Sequence, residues 1–252
     1  IDFPTDVSIT ACTGPGPCEY EIYGSGTLRT DPATVMNNDT VAVRQTATGS
    51  YGTATDLTLD IGGVSDTFTV TTLNAYAVTA NAGGNGSGTV ASDAGGISYS
   101  YPAENTGTTS PVAEGSSIIL TATAGTGSTT AWSGCAGTGG TSTVATCSFS
   151  SLDGDKTVTA TFTLNQYTLT YAAGDHGSIS GPTPQTVAHG SDGTAVTAVP
   201  DANYHFVQWS DGSTANPRTD TNVTGDISVT ASFAIDQYTL TVLVIHDVES
   251  PV

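Results

Sequence analysis

Four cysteines offer the clearest chemistry in this sequence. Cys12 and Cys18 bracket Thr-Gly-Pro-Gly-Pro, a forced turn, and Cys135 and Cys147 bracket a hairpin-sized span rich in Gly and Thr. Two sequence-local pairs in a Thr- and Gly-rich chain predict disulfides Cys12–Cys18 and Cys135–Cys147, formed in an oxidising compartment. Loops this short each stabilise by about 2–3 kcal/mol in the chain-entropy picture. The alternative is a metal centre, which needs convergent ligands, and no histidine lies near either pair. His176, His189 and His205 are spaced 13 and 16 residues apart (176 to 189, 189 to 205) on separate expected elements, so they do not read as a ligand set. Asp153-Gly154-Asp155 and Ser210-Asp211-Gly212 put carboxylates in loops. Calcium needs about six oxygen ligands, neither loop follows the EF-hand spacing, and turn chemistry accounts for Asp-Gly. No cofactor is therefore expected, with calcium kept as the alternative. Trp132 and Trp209 stand at matching places in two related stretches. The leading reading is packing within a thin β-domain, and the alternative is a stacking face for a glycan. Neither a Gly-x-Ser-x-Gly elbow nor a His-Glu-x-x-His helix occurs. No catalytic constellation emerges, and the chain is read as not an enzyme.

The elements that must carry these residues are strands. Thr157–Thr170 reads TVTATFTLNQYTLT and returns at Ser228–Thr241 as SVTASFAIDQYTLT. Val158, Ala160, Phe162 and Leu164 alternate with threonines, as Val229, Ala231, Phe233 and Ile235 alternate with Thr, Ser and Ala. Such a period of two places one set on a buried sheet face and the other in solvent. A polar pair follows, Asn165-Gln166 or Asp236-Gln237, and a new alternation begins at Tyr167 or Tyr238. Each copy therefore reads as the last strand of one domain, a two-residue hinge, and the first strand of the next. Phe162 and Phe233 are expected to be buried equivalents, as are Leu169 and Leu240. Tyr76, Tyr167 and Tyr238 are spaced 91 residues (76 to 167) and 71 residues (167 to 238) apart. The extra length is assigned to a surface loop around Ser92–Pro111.

Before these repeats, residues 1–73 alternate over several short stretches. Leu57, Leu59 and Ile61 lead through Gly62-Gly63 to Phe68 and Val70, the pattern of a β-hairpin. Strands at this spacing suggest an Ig-like sandwich. The expected fold class is all-β, with three tandem small domains: an Ig-like sandwich at 1–73 and related β-repeat modules at 74–164 and 165–235. Residues 236–252 begin with a strand that no later sequence completes. Tyr238, Leu240, Val242, Leu243, Val244 and Ile245 make it apolar on both faces, which suits burial on both sides. It is read as an interaction strand, with three outcomes open: continuation into a further domain, packing on its own module, or donation to a neighbouring copy.

Asp and Glu number 23 against 4 Lys and Arg, a formal charge of -19. That balance repels nucleic acid and anionic lipid surfaces. No apolar run approaches the length of a membrane span, so membrane insertion is not expected.

The motifs resemble divergent bacterial surface repeat modules related to internalin B-repeats and Listeria–Bacteroides repeats. The carriers are Tyr167-Thr-Leu-Thr, the Gly177-Ser-Ile turn, Pro200–Gly212 and Val229-Thr-Ala-Ser-Phe233, with Trp132–Cys135 and Asp153–Phe162 in the earlier repeat. The resemblance implies small β-folds strung along secreted or surface proteins as stalks, spacers and adhesive segments. The expected function is thus a non-enzymatic extracellular structural protein, a cell-surface stalk or fibre subunit polymerising by strand donation. A glycan-binding or adhesin module of a larger secreted protein is the alternative. The expected partners are further copies or other surface proteins, and glycans under the second reading.

Overall fold

The computed structural model of the chain describes residues 3–243. Among them every regular element is a strand. Among the described residues no helix is long and apolar enough to cross a membrane. The first strands are β1 (Thr5–Cys12), β2 (Glu19–Ile22), β3 (Ala33–Val35), β4 (Val41–Arg44), β5 (Ala54–Ile61) and β6 (Val64–Thr71). They are followed by β7 (Ala75–Tyr76), β8 (Val78–Gly84), β9 (Gly88–Ser92), β10 (Ser98–Tyr101), β11 (Thr106–Thr108) and β12 (Val112–Ala113). Then come β13 (Ile118–Ala124), β14 (Ser128–Ser133), β15 (Gly137–Gly140), β16 (Val144–Phe149) and β17 (Lys156–Leu164). The last are β18 (Gln166–Ala173), β19 (Gly177–Ser180), β20 (Gln185–Ala188), β21 (Thr197–Pro200), β22 (Tyr204–Trp209) and β23 (Ile227–Ile235). The chain divides into two compact units. The first extends to Phe162, except that Asn85–Ser87 and Ala124–Thr129 go with the second, which takes the chain from Thr163.

In the first unit, a four-stranded sheet in the order β3-β1-β5-β6 packs against the pair β2-β4. The alternation of Leu57 and Leu59 on β5 sends them into a core with Val7, Cys18, Tyr20 and Val35. Buried Tyr20 keeps its hydroxyl satisfied by donating to the Asp31 carbonyl at 2.7 Å. Gly62 and Gly63, both at positive φ, close the β5–β6 hairpin.

Both repeats share one plan. Their main sheets run β11-β8-β17-β14 and β20-β18-β23-β22. In each, the first and last strands lie side by side in parallel, Val78 opposite Lys156 and Leu169 opposite Ile227. Central parallel strands are buried on their core face, and the alternating residues Val78, Ala80, Leu169 and Tyr171 are at most 3% exposed. The rings of Phe162 and Phe233 lie where side chains of Gly88 and Gly177 would stand, so a bare strand residue accommodates each ring.

Three expectations require correction. Ser92–Pro111 is no surface loop: it forms β10 and β11, and Tyr99 is buried with its hydroxyl donating to the Ala80 carbonyl at 2.9 Å. The added length is also divided: Tyr76-to-Trp132 covers 56 residues (76 to 132) against 42 (167 to 209), and Trp132-to-Tyr167 covers 35 (132 to 167) against 29 (209 to 238), in the stretch that holds β15 and β16. Phe162 is fully buried but Phe233 only half-buried, because no strand like β10 brings a Tyr101 to stack on it as Tyr101 stacks on Phe162. Leu240 is 86% exposed where Leu169 is buried, because no partner strand flanks it among the described residues.

Candidate functional site

The cysteines form Cys12–Cys18 and Cys135–Cys147, with Cα atoms 5.9 and 5.4 Å apart. The second bond ties the turn after Trp132 to β16, whose Cys147 is fully buried. Cys135 therefore anchors an added hairpin, β15–β16, onto the edge of the sheet β10-β9-β13-β16-β15.

The two tryptophans end equivalent strands, β14 and β22. Their indole N–H groups donate to backbone carbonyls, Trp132 to Ala145 at 3.0 Å and Trp209 to Ala215 at 2.9 Å. Trp209 is wholly buried, against Tyr171 and Phe206. It presents no face to a sugar, and the glycan-contact reading of Trp209 is withdrawn on that ground. Trp132 is half-buried and lines a groove of about 350 Å³ with Thr138, Gly139, Thr141 and Ser142. Thr130 also lines it, with a buried hydroxyl that has no hydrogen-bond partner.

Behind Trp209 lies a charge cluster that the sequence reading missed. Arg218 is 6% exposed, with its guanidinium 5.5 Å from the Trp209 ring centre. It donates through Nε and Nη2 to the two Asp220 oxygens, at 2.9 and 2.7 Å, and through Nη1 to Asp211 at 2.9 Å. The Tyr171 hydroxyl donates to Asp220 at 2.7 Å. The guanidinium holds both carboxyls below the usual carboxylate range. Burial, together with the Asp220 charge, pushes the Tyr171 hydroxyl far upward. Every charge here is spent on a neighbour within the repeat, which makes this a structural clamp. The Arg-Thr-Asp spacing at 218–220 was the available signal, since a lone arginine in an acidic module needs partners.

The remaining candidates stay apart. His205 contacts Asp236 at 2.9 Å, His176 stacks on Tyr204 at 4.1 Å, and His189 covers Gly127. Among the described residues no group of His, Cys, Asp and Glu is arranged to hold a metal. Asp153 pairs with Lys156, and Asp155 accepts from the Ala77 N–H at 2.8 Å, so these loop carboxylates serve as turn fasteners.

The C-terminal segment is the least conventional feature. Tyr238–Leu243 forms no strand, contrary to the expectation, because nothing in the described chain pairs with it. Tyr238, Leu240, Val242 and Leu243 are 72–86% exposed. Val244 and Ile245 lie outside the described residues. The hinge before it makes the same contact as the hinge between the repeats: the Asp236 N–H donates to the Asn203 carbonyl, as the Asn165 N–H donates to the Gly127 carbonyl, both at 2.8 Å.

Comparison with known proteins agrees with this repeat geometry. No curated protein matches the chain. A family model described as the divergent InlB B-repeat domain matches residues 76–166 and 167–237. The two matched segments are adjacent, exceed half of the sequence, and each frames a sheet built on a parallel pair of first and last strands. The chain belongs to the divergent InlB B-repeat domain family.

Proposed function

We propose that this is a non-enzymatic structural protein of the bacterial surface, a stalk or fibre subunit that joins to further copies by donating its C-terminal segment as a β-strand. The carrying observation is a mismatch between sequence and environment. Leu240 and Val242 are 86% and 72% exposed, whereas their counterparts in the two repeats, Leu169 and Tyr171 or Val78 and Ala80, are at most 3% exposed. A segment with the pattern of a central strand has no partner strand among the described residues and holds apolar side chains in water, which favours adding it to a sheet edge elsewhere. Secretion is supported by two disulfides in a chain of this size. A stalk role is supported by repeats whose first and last strands run parallel, so each module returns the chain in its direction of entry. The module boundaries we assign are 1–73, 74–164, 165–235 and the segment 236–252. Deleting residues 238–252 tests the proposal: the full chain assembles into linear polymers by electron microscopy, and the truncated chain sediments as a folded monomer. Undiminished polymers from the truncated chain refute it.

A second reading, a glycan-binding module, is supported by the groove beside Trp132, where a half-buried indole meets several hydroxyls. It predicts glycan-array binding that disappears in Trp132→Ala with folding intact.

A further inference from the structure

The donated segment needs an acceptor, and this inference rests on the strand-donation reading above. Among the described residues β6 is the sheet edge best suited to the task. It pairs only with β5, is eight residues long, and every one of its residues is exposed. The other sheet edges are shorter: β3 and β11 have three residues each, β10, β15 and β20 four, and β14 and β22 six, with β22 interrupted by a bulge.

The exposure of β6 has a specific cause. Val70, Phe68 and Val64 stand opposite Thr55, Leu57 and Ile61, and so on the core side of the sheet. Leu57 is fully buried beneath the covering pair β2-β4, yet Phe68 beside it is 41% exposed, Val70 42% and Val64 75%. The cover is two strands wide and the sheet is four strands wide, so it ends before β6. The sandwich is left open along one side, with a mainly apolar strip, broken at Asp66, and a row of unpaired backbone groups together.

The C-terminal segment matches this strip in length and supplies one apolar face to meet it. Tyr238–Ile245 is also eight residues, carrying Tyr, Leu, Val and Val at one parity and Thr239, Thr241, Leu243 and Ile245 at the other. β6 carries Val64, Asp66, Phe68 and Val70 at one parity, the aspartate opposite Leu59, and Ser65, Thr67, Thr69 and Thr71 at the other. Pairing the two sets the Tyr238, Leu240 and Val242 face beside Val64, Phe68 and Val70, with Asp66 interrupting it, and sets Thr239 and Thr241 beside the Ser and Thr face, favourable cross-strand combinations. The donor segment has no charged residue, and β6 has one, Asp66.

We propose that β6 of a second copy is the acceptor for Tyr238–Ile245, so that the N-terminal domain of one copy is completed by the C-terminal strand of the next. The contact is head-to-tail and does not close, and it propagates as a fibre.

The test uses two full-length variants changed only at exposed side chains. Phe68→Asp with Val70→Asp spoils the acceptor, and Leu240→Asp with Val242→Asp spoils the donor, with circular dichroism and melting confirming unchanged folds. Burying a carboxylate in the strip should raise the concentration for half-assembly by about tenfold or more. By sedimentation velocity the unaltered chain polymerises, each variant alone is monomeric, and an equimolar mixture stops at dimers, since it contains one good donor and one good acceptor per pair. Polymers from the acceptor variant, with the donor variant monomeric, overturn the assignment of β6 while leaving strand donation standing. Monomers throughout the mixture also overturn it. A donor variant that still polymerises, or an unaltered chain that stays monomeric, overturns strand donation and this inference together.

Discussion

Arg218 shows how one side chain organises a module. In a chain with 4 basic residues, it spends its charge on Asp220 and Asp211 and its flat face on Trp209. Removing it strands two partly covered carboxylates, and Arg218→Ala should destabilise the second repeat by about 3–5 kcal/mol in urea unfolding. Trp132→Phe as background leaves Trp209 the sole tryptophan and therefore the reporter of that repeat. The same cluster fixes a pH dependence. Both carboxyls titrate lower in the folded chain than when unfolded, so the unfolded state binds more protons as the solution becomes acidic. The stabilisation is complete above the ordinary carboxylate pKa of about 4 and is lost as pH falls through the folded values. The melting temperature of the second repeat should be level near neutrality and fall below about pH 4, with a shallower fall in Arg218→Ala; equal slopes would show that other groups govern the acid transition. Gly177 is a second case. A methyl added there would stand 2.3 Å from the Phe233 ring, so Gly177→Ala should cost about 1–3 kcal/mol through displaced packing. Combining it with Phe233→Leu should recover part of that loss, as expected for two residues in direct contact.

At the scale of elements, the two repeats solve one problem by different means. Each must pin the chain that runs from its tryptophan to its last strand. The first repeat adds the β15–β16 hairpin and fastens it with Cys135–Cys147. The second has no such hairpin and fastens the connection through Arg218, whose backbone also pairs with Val196. The two repairs are independent, so their losses should be separable. Reduction should lower the unfolding midpoint reported by Trp132 in a Trp209→Phe background, and Arg218→Ala should leave that midpoint unchanged in the oxidised chain. The oxidised chain should also weigh four hydrogens less than the reduced one, with no free thiol to label.

The whole molecule carries a formal charge of -19, so any association of copies works against repulsion. Salt shortens the reach of that repulsion, to about 8 Å at physiological ionic strength from about 30 Å at 0.01 M. Added salt leaves the apolar strip of β6 and the uncharged donor segment intact. Assembly should accordingly strengthen from 0.01 to 0.15 M salt, seen as a falling half-assembly concentration by light scattering. Weakening over that range would point to charge pairing as the adhesive force and against joining by strand addition.

The sequence alone determined what depends on local periodicity. Alternation over Val158–Leu164 and Val229–Ile235 set the strands and their inner faces, and the recurrence of Gln-Tyr-Thr-Leu-Thr set the order of repeats, because strand pattern and repetition are properties of neighbouring residues. The close spacing of each cysteine pair similarly pointed to its own bond. Tertiary structure decided what depends on residues far apart. It alone revealed the parallel pairing of each repeat's first and last strands, since sequence fixes a strand's faces but not its partner. It buried Trp209 fully and Trp132 only in part, because Arg218, Tyr171 and Phe206 converge on one and a groove opens beside the other. It drew Tyr99 from an apparent loop into the core by giving its hydroxyl the Ala80 carbonyl. It left Phe68 on an open edge although its pattern equals that of a buried strand, because burial depends on whether an opposing sheet reaches that far. Leu240 differs from Leu169 for the same reason: identical local sequence is buried only where flanking strands exist to cover it.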